Sequence, residues 1–299
     1  MEFTVPATSA NLGPGFDTLG LAIDLKNRVV IKRAKFFSIS IKGEGENNYR
    51  LKTNNKFISI FYEIYKEITN SRDNFRFEFY NNIPLARGMG SSSAIIVSAI
   101  GAAYAMAKIV VPKEKILNKA LIFENHPDNI SPAVYGGFTV SIVDNGKVFV
   151  KRKEIPSYLK AVMVIPDRAM STSLSRKALP KYYKMQDIVF NISHSSFLTA
   201  AFLSEDWEML KRASKDRIHQ KYRMENMREL FEVQKIALKN GALMSTLSGS
   251  GSSFFNLVYE EDAKRVRDSL KNSFPNFRVE IFDLDNVGFR IEKGLKSSI

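Results

Sequence analysis

The sequence predicts an α+β protein of two domains, and three observations predict it. Up to residue 154 the chain reads as strand-like segments interrupted by helices. From residue 155 it runs strand, helices, strand, strand, helix, strand, which is the split βαβ order of a ferredoxin-like domain. Between the two rhythms, Lys153 to Tyr158 gathers charges and Pro156, as a linker does. The expected domains are therefore 1–154 and 155–299.

Taken in order, Phe37-Ser-Ile-Ser-Ile41 and Phe75-Arg-Phe-Glu-Phe79 alternate apolar and polar residues, the signature of a half-buried strand. Between them, Phe57, Ile60, Phe61, Ile64, Tyr65 and Ile68 fall on one helical stripe. A glycine-containing loop leads into Ser91–Ser93, and the small-residue apolar segment from Ala94 to Ala107 reads as a buried helix. Pro112 suits a first helical turn and opens a helix to about Glu124. Gly137–Val143 and Lys147–Lys151 flank Asp144-Asn145-Gly146 and form a hairpin. In the second half, Ala161–Ile165 is a strand, followed by helices over Ser173–Leu179, Gln186–Leu203 and Glu225–Asn240, with Gly241 as a stop. Strands Leu243–Leu247 and Ser253–Val258, a helix Glu261–Leu270 and a strand Arg278–Leu284 complete it.

Composition narrows the function classes. The 299 residues are 44% hydrophobic and 25% charged, as in a globular protein. The absence of cysteine excludes disulfides and thiolate metal sites and suits a reducing, cytoplasmic setting. The start has no basic and apolar leader pattern. The longest apolar run is broken by Lys108 and stopped by Pro112, so a buried helix is expected rather than a membrane span. The net charge of +13 admits nucleic-acid binding. The basic residues are dispersed, however, and no stretch interleaves them with aromatics as an RNA-stacking sheet does. The plainer expectation is a lysine-rich surface with a basic site for an anionic substrate, and no nucleic-acid partner.

Ile83-Pro-Leu-Ala-Arg-Gly-Met-Gly-Ser-Ser-Ser-Ala94 carries the most chemistry. Glycines let a backbone approach a ligand, and a helix start offers free N–H groups with a partial positive charge. Together they make a phosphate cradle. Neither Gly-x4-Gly-Lys-Ser/Thr nor a strand-borne Gly-x-Gly-x-x-Gly is present, so this cradle differs from the common nucleotide signatures.

Two further segments accompany it: Val5-Pro-Ala-Thr-Ser-Ala-Asn-Leu-Gly-Pro-Gly-Phe-Asp-Thr-Leu-Gly20 and Leu247-Ser-Gly-Ser-Gly-Ser-Ser253. In this order and spacing the three resemble the GHMP family of small-molecule kinases. The first segment, with His126-Pro-Asp-Asn129, Pro132-Ala133 and Gly136-Gly137, resembles the homoserine kinase branch. The resemblance implies a two-domain GHMP kinase fold, with an N-terminal domain like domain 2 of ribosomal protein S5 and a ferredoxin-like C-terminal domain. It implies ATP and L-homoserine as substrates, Mg²⁺ as the metal, and O-phospho-L-homoserine for threonine biosynthesis as the product. Members are often homodimers.

Residue by residue, the resemblance places the triphosphate in Pro84, Leu85, Ala86, Arg87, Gly88, Met89, Gly90, Ser91, Ser92 and Ser93, backed by Gly249, Ser250 and Gly251. Ser92 and Glu124 bind Mg²⁺ through hard oxygens. The bland readings are a helix N-cap for Ser92 and a surface residue at a helix end for Glu124. Asp17 meets the substrate ammonium, Asn11 helps to position it, and Arg176 and Arg223 hold its carboxylate, with Thr172 a weaker contact. Arg217 and Arg228 are rivals for the role of Arg223. His126 and Asn129 aim the substrate hydroxyl. An amide cannot act as a base, so transfer without a strong protein base is expected, with Asp128 as the rival base. His194 and His219 read as structural or surface residues. The chain departs from the pattern at Ser252, where the family usually has Pro, and at Lys56, where it tends to have Asn near the adenine. The alternatives are another GHMP kinase, for mevalonate-like or sugar substrates, and a basic RNA-binding module.

Overall fold

The fold is described from a computed structural model, which covers residues 1–225 and 227–293. Position 226 of the expected helix 225–240 and residues 294–299 of the expected second domain lie outside the described residues. In chain order the elements are β1 (Glu2–Ala10), β2 (Leu19–Arg33), β3 (Ser38–Gly43), α1 (Tyr49–Thr53), α2 (Lys56–Thr69), β4 (Phe75–Asn81), α3 (Ser91–Met106), α4 (Lys113–Ala120), α5 (Pro127–Tyr135), β5 (Phe138–Asp144) and β6 (Lys147–Lys153). Then come β7 (Leu159–Ile165), α6 (Thr172–Lys177), α7 (Met185–Ser204), a 3-10 turn at Trp207–Met209, α8 (Leu210–Ala213), α9 (Gln220–Met224), α10 (Glu229–Lys239), β8 (Met244–Leu247), β9 (Phe254–Tyr259), α11 (Glu260–Ser273), β10 (Arg278–Phe282) and β11 (Arg290–Lys293).

Among the described residues two sheets form. The first is seven-stranded, in the order β11-β1-β2-β4-β3, with the β5–β6 hairpin joined through β2. The second runs β10-β7-β9-β8, all antiparallel, with α10 and α11 packed against it. Of its four strands the first therefore lies between the last and the third, the ferredoxin-like arrangement expected from the element order. The expected hairpin is present, with Asp144 opposite Lys147.

α3 is the axis of the first domain. Its residues are buried on every side, which requires the small side chains of Ala94, Ala99, Ala102 and Ala103. It is enclosed by α2, α4, α5 and β1. The amphipathic α2 lays Phe57, Ile60, Phe61 and Ile64 inward, where Phe57 and Phe61 meet Phe77 edge-on. No helix among the described residues is long and apolar enough to cross a membrane.

Two expectations need correction. α3 begins at Ser91, not Ala94, because Gly90 at φ 68° takes the cap position, so Ser92 lies inside the first turn and is not an N-cap. Pro112 is itself the cap of α4, and that helix stops at Ala120, which leaves Glu124 beyond its end. Residues 127–135, to which the sequence assigned no element, form α5, although Pro132 sits inside it. The two domains are tied to each other at two places. β11 returns to pair with β1, and Phe138 of the first domain stacks on Phe202 of α7 at 4.1 Å.

Candidate active site

The loop between β1 and β2 holds the first functional side chains. Asn11, Leu12 and Asp17 all have positive φ, a conformation that non-glycine residues adopt only when the surroundings enforce it. Here Leu12 is fully buried, the Asp17 N–H donates to Asn11 Oδ1 at 3.0 Å, and Asn11 Nδ2 donates to the Gly249 carbonyl at 3.0 Å. The second domain thus grips the loop that presents Asp17.

The expected phosphate loop follows β4. The first intrahelical bond of α3 runs from the Ala94 N–H to Gly90 O, so the amides of Ser91, Ser92 and Ser93 have no acceptor within the helix. Gly88 and Gly90 take φ +74° and +68°, and a Cβ on Gly90 would collide with Thr8 Oγ1. A Cβ on Gly88 would collide with the Ser248 carbonyl and lie 2.8 Å from that of Gly251. The loop is laced to the second domain: Ser248 Oγ donates to Gly88 O at 2.7 Å, the Ser253 N–H to Arg87 O at 3.0 Å, and Arg87 to Asp167 at 2.7 Å.

Charges gather at the floor. Arg176 grips Asp17 through two bonds of 2.8 and 2.9 Å, which raises the guanidinium pKa. His126, at the cap of α5, stands 3.8 Å from the same carboxylate. Phe16 lies with its ring centre 5.2 Å from both the Arg176 and Arg223 guanidiniums. Arg223 is buried and donates to Gly249 O at 2.9 Å, while its Nε has no hydrogen-bond partner. Burial and the Arg176 charge lower its pKa to about 10. His219 is fully buried, which lowers its pKa. Its Nε2 donates to Gly13 O at 2.7 Å and its Nδ1 accepts from Arg223 Nη1 at 3.3 Å, so its partners assign the neutral Nε2–H tautomer. Asp128 is buried, and burial with the charges of Asp17 and Glu124 pushes its carboxyl up to about 7. Asn129 accepts from Thr8 Oγ1 at 2.7 Å through Oδ1.

Of these groups, Asp17, His126, Asp128, Asn129, Arg176 and Arg223 border one cavity of about 470 Å³. Every site residue expected from the sequence lines it except Gly251, which stands behind the phosphate loop. Sequence reasoning missed Leu51, Ile95, Met170 and Ser171 as lining residues, and did not place Lys56 on Ser92. These carry no motif of their own. Arg223, and not Arg217 or Arg228, lines the cavity.

Mg²⁺ fits this donor set in part. Glu124 is a half-buried carboxylate whose pKa burial raises, against the lowering effect of the Ser93 hydrogen bond and the charges of Lys56 and His126. Its Oε2 accepts from Ser93 Oγ at 2.8 Å, while Ser92 Oγ accepts from Lys56 Nζ at 3.1 Å. No group of three or more His, Cys, Asp or Glu that could hold a metal exists among the described residues. A hydroxyl and one carboxylate suit a Mg²⁺ that shares its coordination with phosphate oxygens.

Comparison with known proteins identifies the family. The family models of the GHMP kinases N terminal domain and the GHMP kinases C terminal match residues 55–137 and 198–276. The homoserine kinase of Nitratiruptor sp. is 63% identical over 98% of this chain and 100% of its own length. That of Aliarcobacter butzleri is 60% identical, with the same coverage. Among solved structures, homoserine kinase from Cytophaga hutchinsonii superposes with a TM-score of 0.86 at 27% identity, covering 97% of this chain and 96% of that one. Methanococcus jannaschii mevalonate kinase shares the fold, with a TM-score of 0.70 at 16% identity over 96% of this chain and 98% of its own.

Proposed function

The chain belongs to the GHMP kinases, in their homoserine kinase branch, and on that premise we propose that it transfers the γ-phosphoryl group of ATP to the hydroxyl of L-homoserine, giving O-phospho-L-homoserine for threonine biosynthesis. One observation carries the reading. An anion, Asp17, and two cations, Arg176 and Arg223, stand together in the cavity whose rim is the open N-terminus of α3. That is the charge set for a zwitterion beside a polyanion.

Phosphoryl transfer is chiefly positioning and charge neutralisation. The amides of Ser91–Ser93 and the backbone of Pro84–Gly90 hold the triphosphate, braced by Gly249-Ser250-Gly251. Ser92 and Glu124 would hold Mg²⁺, which would supply charge neutralisation at the phosphates. Asp17 takes the homoserine ammonium, with Asn11 fixing the Asp17 loop. Arg176 and Arg223 take its carboxylate, and Thr172 borders the same end. Thr8 occupies Asn129 Oδ1, so the amide Nδ2 is the group left to orient the hydroxyl, together with His126. The proton then leaves through the phosphate, with no strong protein base. The same reading places the enzyme in the cytoplasm as a homodimer with no nucleic-acid partner.

Coupled ADP release measured on L-homoserine, mevalonate, shikimate and galactose tests it. Turnover is expected on homoserine. Turnover only on an alcohol that lacks an amino group overturns the reading.

A further inference from the structure

We propose that Lys56 is a phosphate-binding residue of this kinase, reaching from the start of α2 across the mouth of α3 to the polyphosphate of ATP. The inference rests on the functional reading above.

Three observations carry it. Lys56 Nζ lies 3.1 Å from Ser92 Oγ, so a side chain free to extend into water is turned inward over the first turn of α3. It borders the cavity together with Leu51, Ser92 and Glu124. It also occupies the first position of α2, where the helix dipole disfavours a cation and no acidic residue in the first turn compensates. The helix end does not need it, because Asn55 already caps it by accepting the Ile58 N–H at 3.2 Å. The starts of two helices and one ammonium therefore meet at the same rim, with the half-buried Glu124 as the nearby carboxylate. The surplus positive charge is neutralised by a polyanion. An ammonium on a long stem serves a phosphate as a mobile point charge, which an amide at this position cannot do.

The test is calorimetric titration of ATP, ADP and adenosine into the wild-type protein, Lys56→Ala, Lys56→Gln and Lys56→Arg, together with steady-state kinetics. Both neutral variants are expected to bind ATP about ten- to a hundredfold more weakly, the range for a lost charge-assisted bond. Adenosine affinity and the homoserine KM stay within about twofold, and Lys56→Arg keeps most of the ATP affinity. Folding of each variant is checked by its thermal melt, and the shape-conserving glutamine stands in should alanine fail. Neutral variants that bind ATP as the wild type does, or that lose ATP and adenosine equally, overturn the proposal. Wild-type ADP release on homoserine, measured in the same series, reports separately on the functional reading. The ATP-to-adenosine contrast holds whichever alcohol is the acceptor.

Discussion

Asp17 and Arg176 meet across 159 positions of sequence, each bearing the charge that the other's ligand group would bring. A zwitterionic substrate must open this pair and replace one ion pair by two. An alcohol without an amino group would leave Asp17 unmatched, and leaving a partly buried charge unpaired is costly. Arg176→Ala is therefore expected to raise the homoserine KM about ten- to a hundredfold, with a much smaller change in the ATP KM; equal increases in both would remove Arg176 from the substrate end. Asp128 makes a second prediction. Its carboxyl is raised from 3.8 to about 7, so the fold favours its protonated form. Its effect on stability is absent below pH 3.8 and becomes a growing penalty as pH rises to about 7, remaining beyond that. Melts of Asp128→Asn across this range should lose that part of the decline, and turnover should fall by less than about a hundredfold, the lower range for general-base catalysis. A larger loss with substrate binding intact would make Asp128 the base. The motif gives these residues their roles because each type fits one chemistry. It is silent about partnership, so that Ser93 rather than Ser92 touches Glu124 is learned only from the fold.

At the scale of elements, the loops were more legible than the helices and strands that hold them. Gly88 and Gly90 mark positive φ in the sequence itself, since other residues resist that conformation. β1, by contrast, is buried from Phe3 to Ala10 on both faces, so it shows no alternation to read. α5 hides behind Pro132, which ordinarily breaks a helix, and the sequence from His126 to Asn129 looks like loop. Two glycine variants separate close approach from backbone strain. Gly88→Ala adds a collision with the Ser248 carbonyl to its positive φ and is expected to destabilise by well over about 1 kcal/mol. Gly249→Ala, whose Cβ would meet the Gly88 carbonyl at 3.2 Å, needs a shift of only a few tenths of an ångström beside the left-handed penalty of about 1–2 kcal/mol and should cost less than Gly88→Ala. Thermal melts rank them, and equal losses would mean that the brace between the two loops contributes nothing.

Across the whole molecule, the two sheets act as one body around the cavity. β11 crosses back to pair with β1, Phe289 lies against Phe3 and Gly101, and α7 packs under the first domain. The second-domain pattern was readable because its strands and helices follow one another with ordinary periodicity. The return of β11 was not, because a four-residue strand paired across nearly the entire chain leaves no local signal. This closure lets Gly249, Ser250 and Arg223 of the second domain face Asn11, Asp17 and the start of α3 in the first. A crystal structure with a non-hydrolysable ATP analogue and L-homoserine tests the central claim most directly. The account predicts the triphosphate on the amides of Ser91–Ser93 and the amino acid between Asp17 and Arg176, with their mutual bonds opened. Nucleotide bound elsewhere, with that ion pair still closed, would contradict it.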